Sequence, residues 1–204
     1  APGSGSPTVN AGTVVNKGFE FSLNYKNDSN KIKYSLGFNA TTINNEVLEV
    51  KNSTGYIESG SFGIGQLAPT RMEVGQPMGV FYGLQADGIF QNQAEINAHP
   101  SQSGLGAATA PGDIRFKDIN GDGIININDR TNVGSPLPEF TLGFNTTINY
   151  KNVDFTAYSY ASVGNEMVRN YERTLSDLNR LDYVLDRWTG EGTSNKYPRL
   201  VLGD

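Results

Sequence analysis

Residues 18–44 read GFEFSLNYKNDSNKIKYSLGFNATTIN and residues 140–163 read FTLGFNTTINYKNVDFTAYSYASV. In the first stretch Phe19, Phe21, Leu23 and Tyr25 alternate with polar residues, and after the turn-forming NDSN the same alternation resumes at Ile32, Tyr34, Leu36, Phe38 and Ala40. In the second, Phe140, Leu142, Phe144, Thr146, Ile148 and Tyr150 alternate up to Lys151-Asn152, followed by Val153, Phe155 and Ala157. A period of two places apolar side chains on one face of an extended chain, so each stretch reads as a β-hairpin. The hairpins are also versions of one recipe. SLGFNATTIN at 35–44 is nearly matched by TLGFNTTIN at 141–149, and NYKN occurs at 24–27 and again at 149–152.

Each strand should run about 10 to 12 residues, above the usual mode of soluble sheets and close to the ~9 to 11 that a tilted strand needs to cross a bilayer. The connections are unequal: a few residues inside each hairpin, but residues 45–139 between the hairpins and 164–204 after the second. Short turns at one end and long loops at the other suit an outer-membrane barrel. A soluble sandwich or barrel with a large insertion fits the same spacing, and the pattern alone does not choose between them.

Composition narrows the chemistry. The net charge of −5, with no basic stripe, argues against nucleic acid as a partner. The 204 residues contain no cysteine, which removes disulfides, thiolate catalysis and sulfur-bound metals. No run of about 18 apolar residues is present to span a membrane as a helix, a test to which a β-barrel is blind. Residues 1–9 open with APGSGSP and read as a linker or cloning scar. His99, the lone histidine, lies in NAHPS with no acid nearby in sequence; it reads as a solvated loop residue and rules out histidine triads and multi-histidine zinc sites. No nucleophile and base assemble, so the chain is not read as an enzyme.

Within the long insertion, GVFYGLQADGIFQNQAEI at 79–96 and APGDIRFKDINGDG at 110–123 mix short apolar runs with Gly and Pro, as small local strands do. Tyr171, Leu175, Leu178, Leu185 and Trp188 fall near helical spacing and suggest one or two amphipathic helices there. GSFGIGQ at 60–66 has the glycines of a phosphate loop without its Lys-Ser/Thr ending, and flexibility explains it better.

DINGDGIININDR at 118–130 carries chemistry. Counting Asp118 as position 1 puts Asn120 at 3, Asp122 at 5, Gly123 at 6, Ile124 at 7, Asn126 at 9 and Asp129 at 12, the layout of a calcium loop. Calcium wants six to eight oxygens at about 2.3 to 2.6 Å, and alternate residues of a tight loop can all point inward where a glycine permits the turn. Asp118, Asn120 and Asp122 would give side-chain oxygens, Ile124 its carbonyl, Asn126 a direct or water-bridged oxygen and Asp129 a carboxylate, with Ile125 anchoring the loop. Position 12 is Asp where helix-loop-helix sites have Glu, which suits a structural site of moderate affinity. An Asn/Asp/Gly turn without metal is the plainer reading.

The order NAGTVVNKGFEFSLNY, EVGQPMGVFYGLQADGIFQNQAEI, PGDIRFKDINGDGIININDRTNVGSPLPEFTLGFNTTINYKNVDF and RWTGEGTSNKYPRL resembles the C-terminal barrel portion of SusC/RagA-type TonB-dependent outer-membrane transporters. The resemblance covers nearly everything after residue 8. It implies an all-β fold: an antiparallel, long-stranded segment of a transmembrane β-barrel, with a large extracellular loop and a short helical segment. The expected organisation is a barrel hairpin at 10–44, a long extracellular loop with the calcium loop at 45–139, a second barrel hairpin at 140–163, and an extracellular loop with a short helix at 164–204. It further implies location in the outer membrane of a Gram-negative bacterium, a SusD-like surface lipoprotein as lid, contact with outer-membrane lipid, and import of an oligosaccharide or peptide energised by TonB through a part of the parent protein outside these residues. A soluble, calcium-stabilised β-rich surface module with a dockerin-like loop is the alternative. Dockerins carry such a loop twice, between helices; here it occurs once.

Overall fold

The computed structural model describes residues 10–61, 68–169 and 180–201. They contain ten strands: β1 (Gly12–Asn27), β2 (Ile32–Val50), β3 (Tyr56–Ser59), β4 (Thr70–Glu73), β5 (Val80–Leu84), β6 (Ala86–Ile89), β7 (Ile114–Phe116), β8 (Arg130–Gly134), β9 (Phe140–Tyr150) and β10 (Val153–Val163). One short helix, α1 (Gln93–Ala98), lies among them. No described helix is long and apolar enough to cross a membrane. Residue contacts divide the chain into two units, one built on β1, β2, β9 and β10, the other on 81–133 with the C-terminal segment.

In the first unit β1-β2-β9-β10 form one antiparallel sheet in that order, so the two hairpins lie side by side although residues 45–139 separate them in sequence. Cross-strand register turns the period of two into two chemically opposite faces. One carries the rows Phe19–Thr42–Phe140–Val163, Phe21–Ala40–Leu142–Ala161, Leu23–Phe38–Phe144–Ser159 and Tyr25–Leu36–Thr146–Ala157, closing with Tyr34, Ile148, Phe155 and Tyr150. The other carries Glu20, Ser22, Asn24 and Lys26 on β1, Lys33 to Thr41 at every second residue on β2, and beyond them Asn145, Thr147, Thr156 and Asp154, with Tyr158 and Tyr160 as its aromatic members.

The duplicated recipe becomes a local twofold. Phe38 pairs with its own counterpart Phe144, Gly37 lies opposite Asn145, and Asn39 lies opposite Gly143. Each glycine leaves the room that the other copy's asparagine fills: a Cβ on Gly37 would meet Asn145 Nδ2 at 2.5 Å.

β2 runs to Val50, six residues past the hairpin boundary expected at 44. Its far end is held by 75–78: Val47 N–H donates to the Gln76 carbonyl at 2.9 Å, and Asn45 Oδ1 accepts the Met78 N–H at 2.7 Å. Val47 is fully buried there. From Ile43 onward the apolar residues move to the opposite face, so the strand outlives its local pattern.

The second unit has a small core of Ile89, Phe90 and Ile125. β6 pairs antiparallel with β7. Buried Gln102 extends that pairing with its side chain, donating Nε2–H to the Ile114 carbonyl at 3.1 Å and accepting the Phe116 N–H at 2.8 Å. The one described α-helix lies at 93–98, where local strands were expected, because Asn92 accepts the Glu95 N–H at 3.1 Å as an N-cap. Of the helix expected around 171–188, Tyr171, Leu175 and Leu178 lie outside the described residues, as do most of GSFGIGQ and all of 1–9. The described part corrects the expectation: Asp182–Asp186 is one 3₁₀ turn, and Leu185 is 78% exposed. Arg187 is already extended, because Trp188 leaves the turn to donate its backbone N–H to the Tyr197 carbonyl at 2.9 Å.

Candidate functional site

Residues 118–129 close on themselves through their own side chains. The Asp118 carboxylate accepts the N–H of Gly121 at 2.7 Å and of Gly123 at 2.8 Å. Asn120 Oδ1 accepts the Asp122 N–H at 2.9 Å, and Asp122 Oδ1 accepts the Ile124 N–H at 2.8 Å. Apart from the Asp118–Gly123 bond, which reaches five residues on, these are the Asx turns that Asp and Asn make with the backbone two or three residues on. Gly121 and Gly123 take φ of 75° and 84°, a region closed to most side chains, so both glycines are needed for the bend. Ile125 is fully buried, as an anchor at position 8 requires. Its N–H donates to the Ser101 carbonyl at 2.7 Å, sewing the loop to the segment after α1.

Asp129 is the charged centre, with no exposed surface. Oδ1 accepts the Ile119 N–H at 2.9 Å, and Oδ2 accepts the Asn126 N–H at 2.8 Å. Asn126 Oδ1 in turn accepts the Asn128 N–H at 2.8 Å, and the extended backbone of Asn126 makes it the N-cap of the 127–129 turn. The Asn126 N–H, foremost, holds the Asp129 carboxyl below the usual carboxylate range; burial opposes it, and the amides of Ile119 and Asn120 and a side-chain hydrogen bond with Asp118 add to the lowering.

All six residues singled out in the sequence therefore lie in one connected network, with Asn120 Nδ2 donating to Asp122 at 3.1 Å and Asn126 Nδ2 to the Ile124 carbonyl at 3.2 Å. Among the described residues no three His, Cys, Asp or Glu side chains gather to hold a metal by themselves. A cation here would draw on amide and carbonyl oxygens as well, the hard, mixed donor set that suits calcium.

Two residues that carry the second unit have no sequence signature. Gln91 Oε1 accepts Trp188 Nε1–H at 3.2 Å and the Gly192 N–H at 2.9 Å, while its Nε2–H donates to the carbonyls of Ile89 and Ser194 at 3.0 and 3.1 Å. Arg199 Nε–H donates to Asp113 at 2.6 Å. Together they seat 187–200 on β6 and on the turn at Gly112. The only cue was an amide beside a core pair, Ile89-Phe90, where buried polar atoms must find partners. His99, expected in solvent, is half-buried, its ring edge-on to Phe90 at 5.1 Å.

No family model matches the chain. Two TonB-dependent receptors of Formosa agariphila are 33% and 32% identical to it, each over 97% of the chain and 20% of the receptor. The TonB-dependent receptor SusC of Bacteroides thetaiotaomicron is 28% identical over 78% of the chain and 15% of SusC. The chain thus spans about a fifth of the length of the curated relatives it matches. Among solved structures, that of the RagAB peptide transporter superposes with a TM-score of 0.63 at 20% identity, covering 95% of the chain and 20% of the transporter chain. By sequence the chain belongs with the TonB-dependent receptors, one stretch of which it matches along nearly its whole length, and its fold is that of part of the RagAB peptide transporter.

Proposed function

We propose that these residues form part of the wall and rim of an outer-membrane β-barrel that imports oligosaccharides or peptides in a Gram-negative bacterium, under a SusD-like lipoprotein lid and driven through TonB. The observation that carries this is the sheet with two opposed faces. Phe19, Phe21, Leu23, Phe144, Phe155 and Val153 are 82, 55, 58, 44, 54 and 66% exposed, a contiguous apolar face that a water-soluble module would have to cover. Its margins are aromatic, Phe19 and Phe140 at one end and Tyr25, Tyr34 and Tyr150 at the other. From Phe140 to Tyr150 the strand rises about 33 Å, or about 23 Å at a 45° tilt, which fits the ~25 Å apolar band of a barrel. The opposite face is mostly polar, as a water-filled or protein-filled lumen demands. The same exposed face weighs against the soluble, dockerin-like module.

In this reading calcium is a clasp. Asp118, Asn120, Asp122, the Ile124 carbonyl, Asn126 and Asp129 hold it, so that the surface offered to lid and substrate is already ordered before they arrive.

The chain contributes no cysteine of its own, so labels can be placed on single introduced cysteines. Spin labels at Phe21 and Phe144, with the stretch in its receptor and the receptor in outer-membrane vesicles, should collide with oxygen dissolved in lipid. Labels at Ser22 and Asn145 should collide with a water-soluble nickel chelate or with neither. Equal access of both pairs to the aqueous reagent would end the barrel reading.

A further inference from the structure

At the tight-turn end of the first unit's sheet, the last pair of the β2–β9 ladder is Ile32 opposite Tyr150, and the next residue along on each side is a lysine, Lys31 and Lys151. Like charges facing one another at the end of a ladder destabilise it. We propose that the two ammonium groups bind the phosphate of an anionic phospholipid, of the phosphatidylglycerol class, whose acyl chains lie along the apolar face beside them. The proposal deepens the barrel reading above and rests on it, since it takes this end of the strands to meet lipid headgroups.

Three observations carry the assignment. First, the lysines have no counter-charge. Two carboxylates stand at this end, Asp28 and Asp154, and both are engaged: Lys26 Nζ lies 2.7 Å from Asp28, and Asn149 Nδ2 donates to Asp154 at 2.6 Å. Lys31 and Lys151 are exposed and make no ion pair or hydrogen bond among the described residues. In a chain of net charge −5 this is a local excess of positive charge, the field that draws an anion.

Second, the charge stands at the margin of apolar surface. Lys151 Nζ lies 5.2 Å from the Tyr150 ring centroid, within reach of its π face. Ile32, Tyr150, Val153 and Phe155, all exposed, continue from the lysines along the face that the barrel reading gives to lipid. That is a lipid's own order, a charged head followed by hydrocarbon, and a free phosphate would use only the first part of it. Third, the depth is right. Tyr25, Tyr34 and Tyr150 close the apolar face at this end, and tyrosines settle at headgroup level. Lysines one residue beyond them reach the phosphates with their stems still on apolar surface. A zwitterionic lipid carries its own cation beside the phosphate and gains less there.

The test places a bimane label on Phe155→Cys, one row deeper than Val153 on the same face, with the stretch in its receptor, freed of other cysteines, and the receptor in phosphatidylcholine vesicles. A fixed share of the lipid is brominated in its acyl chains, as phosphatidylglycerol in one series and as phosphatidylcholine in the other. Bromine quenches only at short range, so the ratio of the two quenching curves reads the local preference. Phosphatidylglycerol should be favoured about five- to thirtyfold, the worth of two basic side chains at an anionic surface. Lys31→Gln with Lys151→Gln should abolish the preference, and Lys31→Arg with Lys151→Arg should keep it. Millimolar inorganic phosphate should leave it unchanged. Equal quenching by the two lipids in the wild type, a preference that survives the glutamine pair, or its loss to free phosphate would overturn the proposal. Quenching by neither lipid would overturn the barrel reading as well, so the two failures are told apart.

Discussion

The Asp129 carboxylate accepts the Asn126 backbone N–H at 2.8 Å while Asn126's own side chain accepts the Asn128 N–H, a reciprocal box that closes the far end of the loop. Because the Asn126 amide and its neighbours hold the Asp129 carboxyl below its ordinary value, the folded state favours the ionised form. A depressed carboxylate contributes stability above its unfolded pKa, about 3.9, and that contribution disappears as pH falls through the folded value. With calcium chelated, wild-type stability should therefore drop below about pH 4. Asp129→Asn should lose stability at neutral pH and show a flatter acid limb when urea midpoints are followed from about pH 7 to about pH 2.5. Parallel acid limbs for the two proteins would show that Asp129 does not carry the effect.

Calcium itself gives a second expectation. A ligand bound only to the folded state at a hundred times its Kd stabilises by about 2.7 kcal/mol, on the order of 5 to 10 °C in a chain of this size. Asp122→Ala removes a candidate ligand that is exposed and whose bonds, to the Ile124 N–H and the Asn120 amide, stay within the loop. It should abolish both that shift and sensitised terbium luminescence, and change the chelated protein little. A wild type whose melting point and terbium signal ignore the metal would leave the loop as an ordinary Asx-rich turn.

What could be read in advance followed the range of the interactions. The four long strands were legible because a sheet with one apolar face writes its period into the chain. The closed turn at 118–129 was legible because its contacts stay within the short stretch from Asp118 to Asp129. The end of β2 was not, because Ile43 shifts the apolar residues to the other face and Val47 is buried by a segment around Gln76, far along the chain. Nor was the seat of 187–200, where Gln91 meets Trp188 at a separation of 97 residues and Arg199 meets Asp113 at 86. Helical spacing around Leu185 misled for the same reason: the distant partners of Trp188 outcompete a local helix.

The twofold at Phe38 and Phe144 predicts a rescue. A Cβ on Gly143 would overlap Asn39 Oδ1 and stand 2.9 Å from Asn39 Cγ, a position no side chain can take without displacing the asparagine. Gly143→Ala should cost about 1 kcal/mol, the low end of overpacking, because the exposed Asn39 side chain can swing aside. Because the pair is reciprocal, the exchange Asn39→Gly with Gly143→Asn should recover most of the loss, which the two single changes would not. Additive losses in a double-mutant cycle, measured by urea denaturation in micelles, would mean the two positions do not share one space.

The most severe single change should be Gly112→Ala. Gly112 takes φ of 92°, and a Cβ there would stand 2.5 Å from Trp188 Cε3 and 2.8 Å from Arg199 Cβ. Its N–H donates to the Phe90 carbonyl at 2.7 Å and its carbonyl accepts the Arg199 N–H at 2.8 Å, so the backbone cannot move away without losing both bonds. Left-handed strain and the clash together should cost about 2 to 4 kcal/mol. The loss should appear first in the C-terminal segment, whose seat on this turn is what the added methyl displaces. Trp188 is the only tryptophan, which makes the measurement direct. Its emission should shift to the red and become accessible to iodide in the variant, while the far-UV β signal of the long strands persists. Unchanged emission would mean that Trp188 is not seated on Gly112.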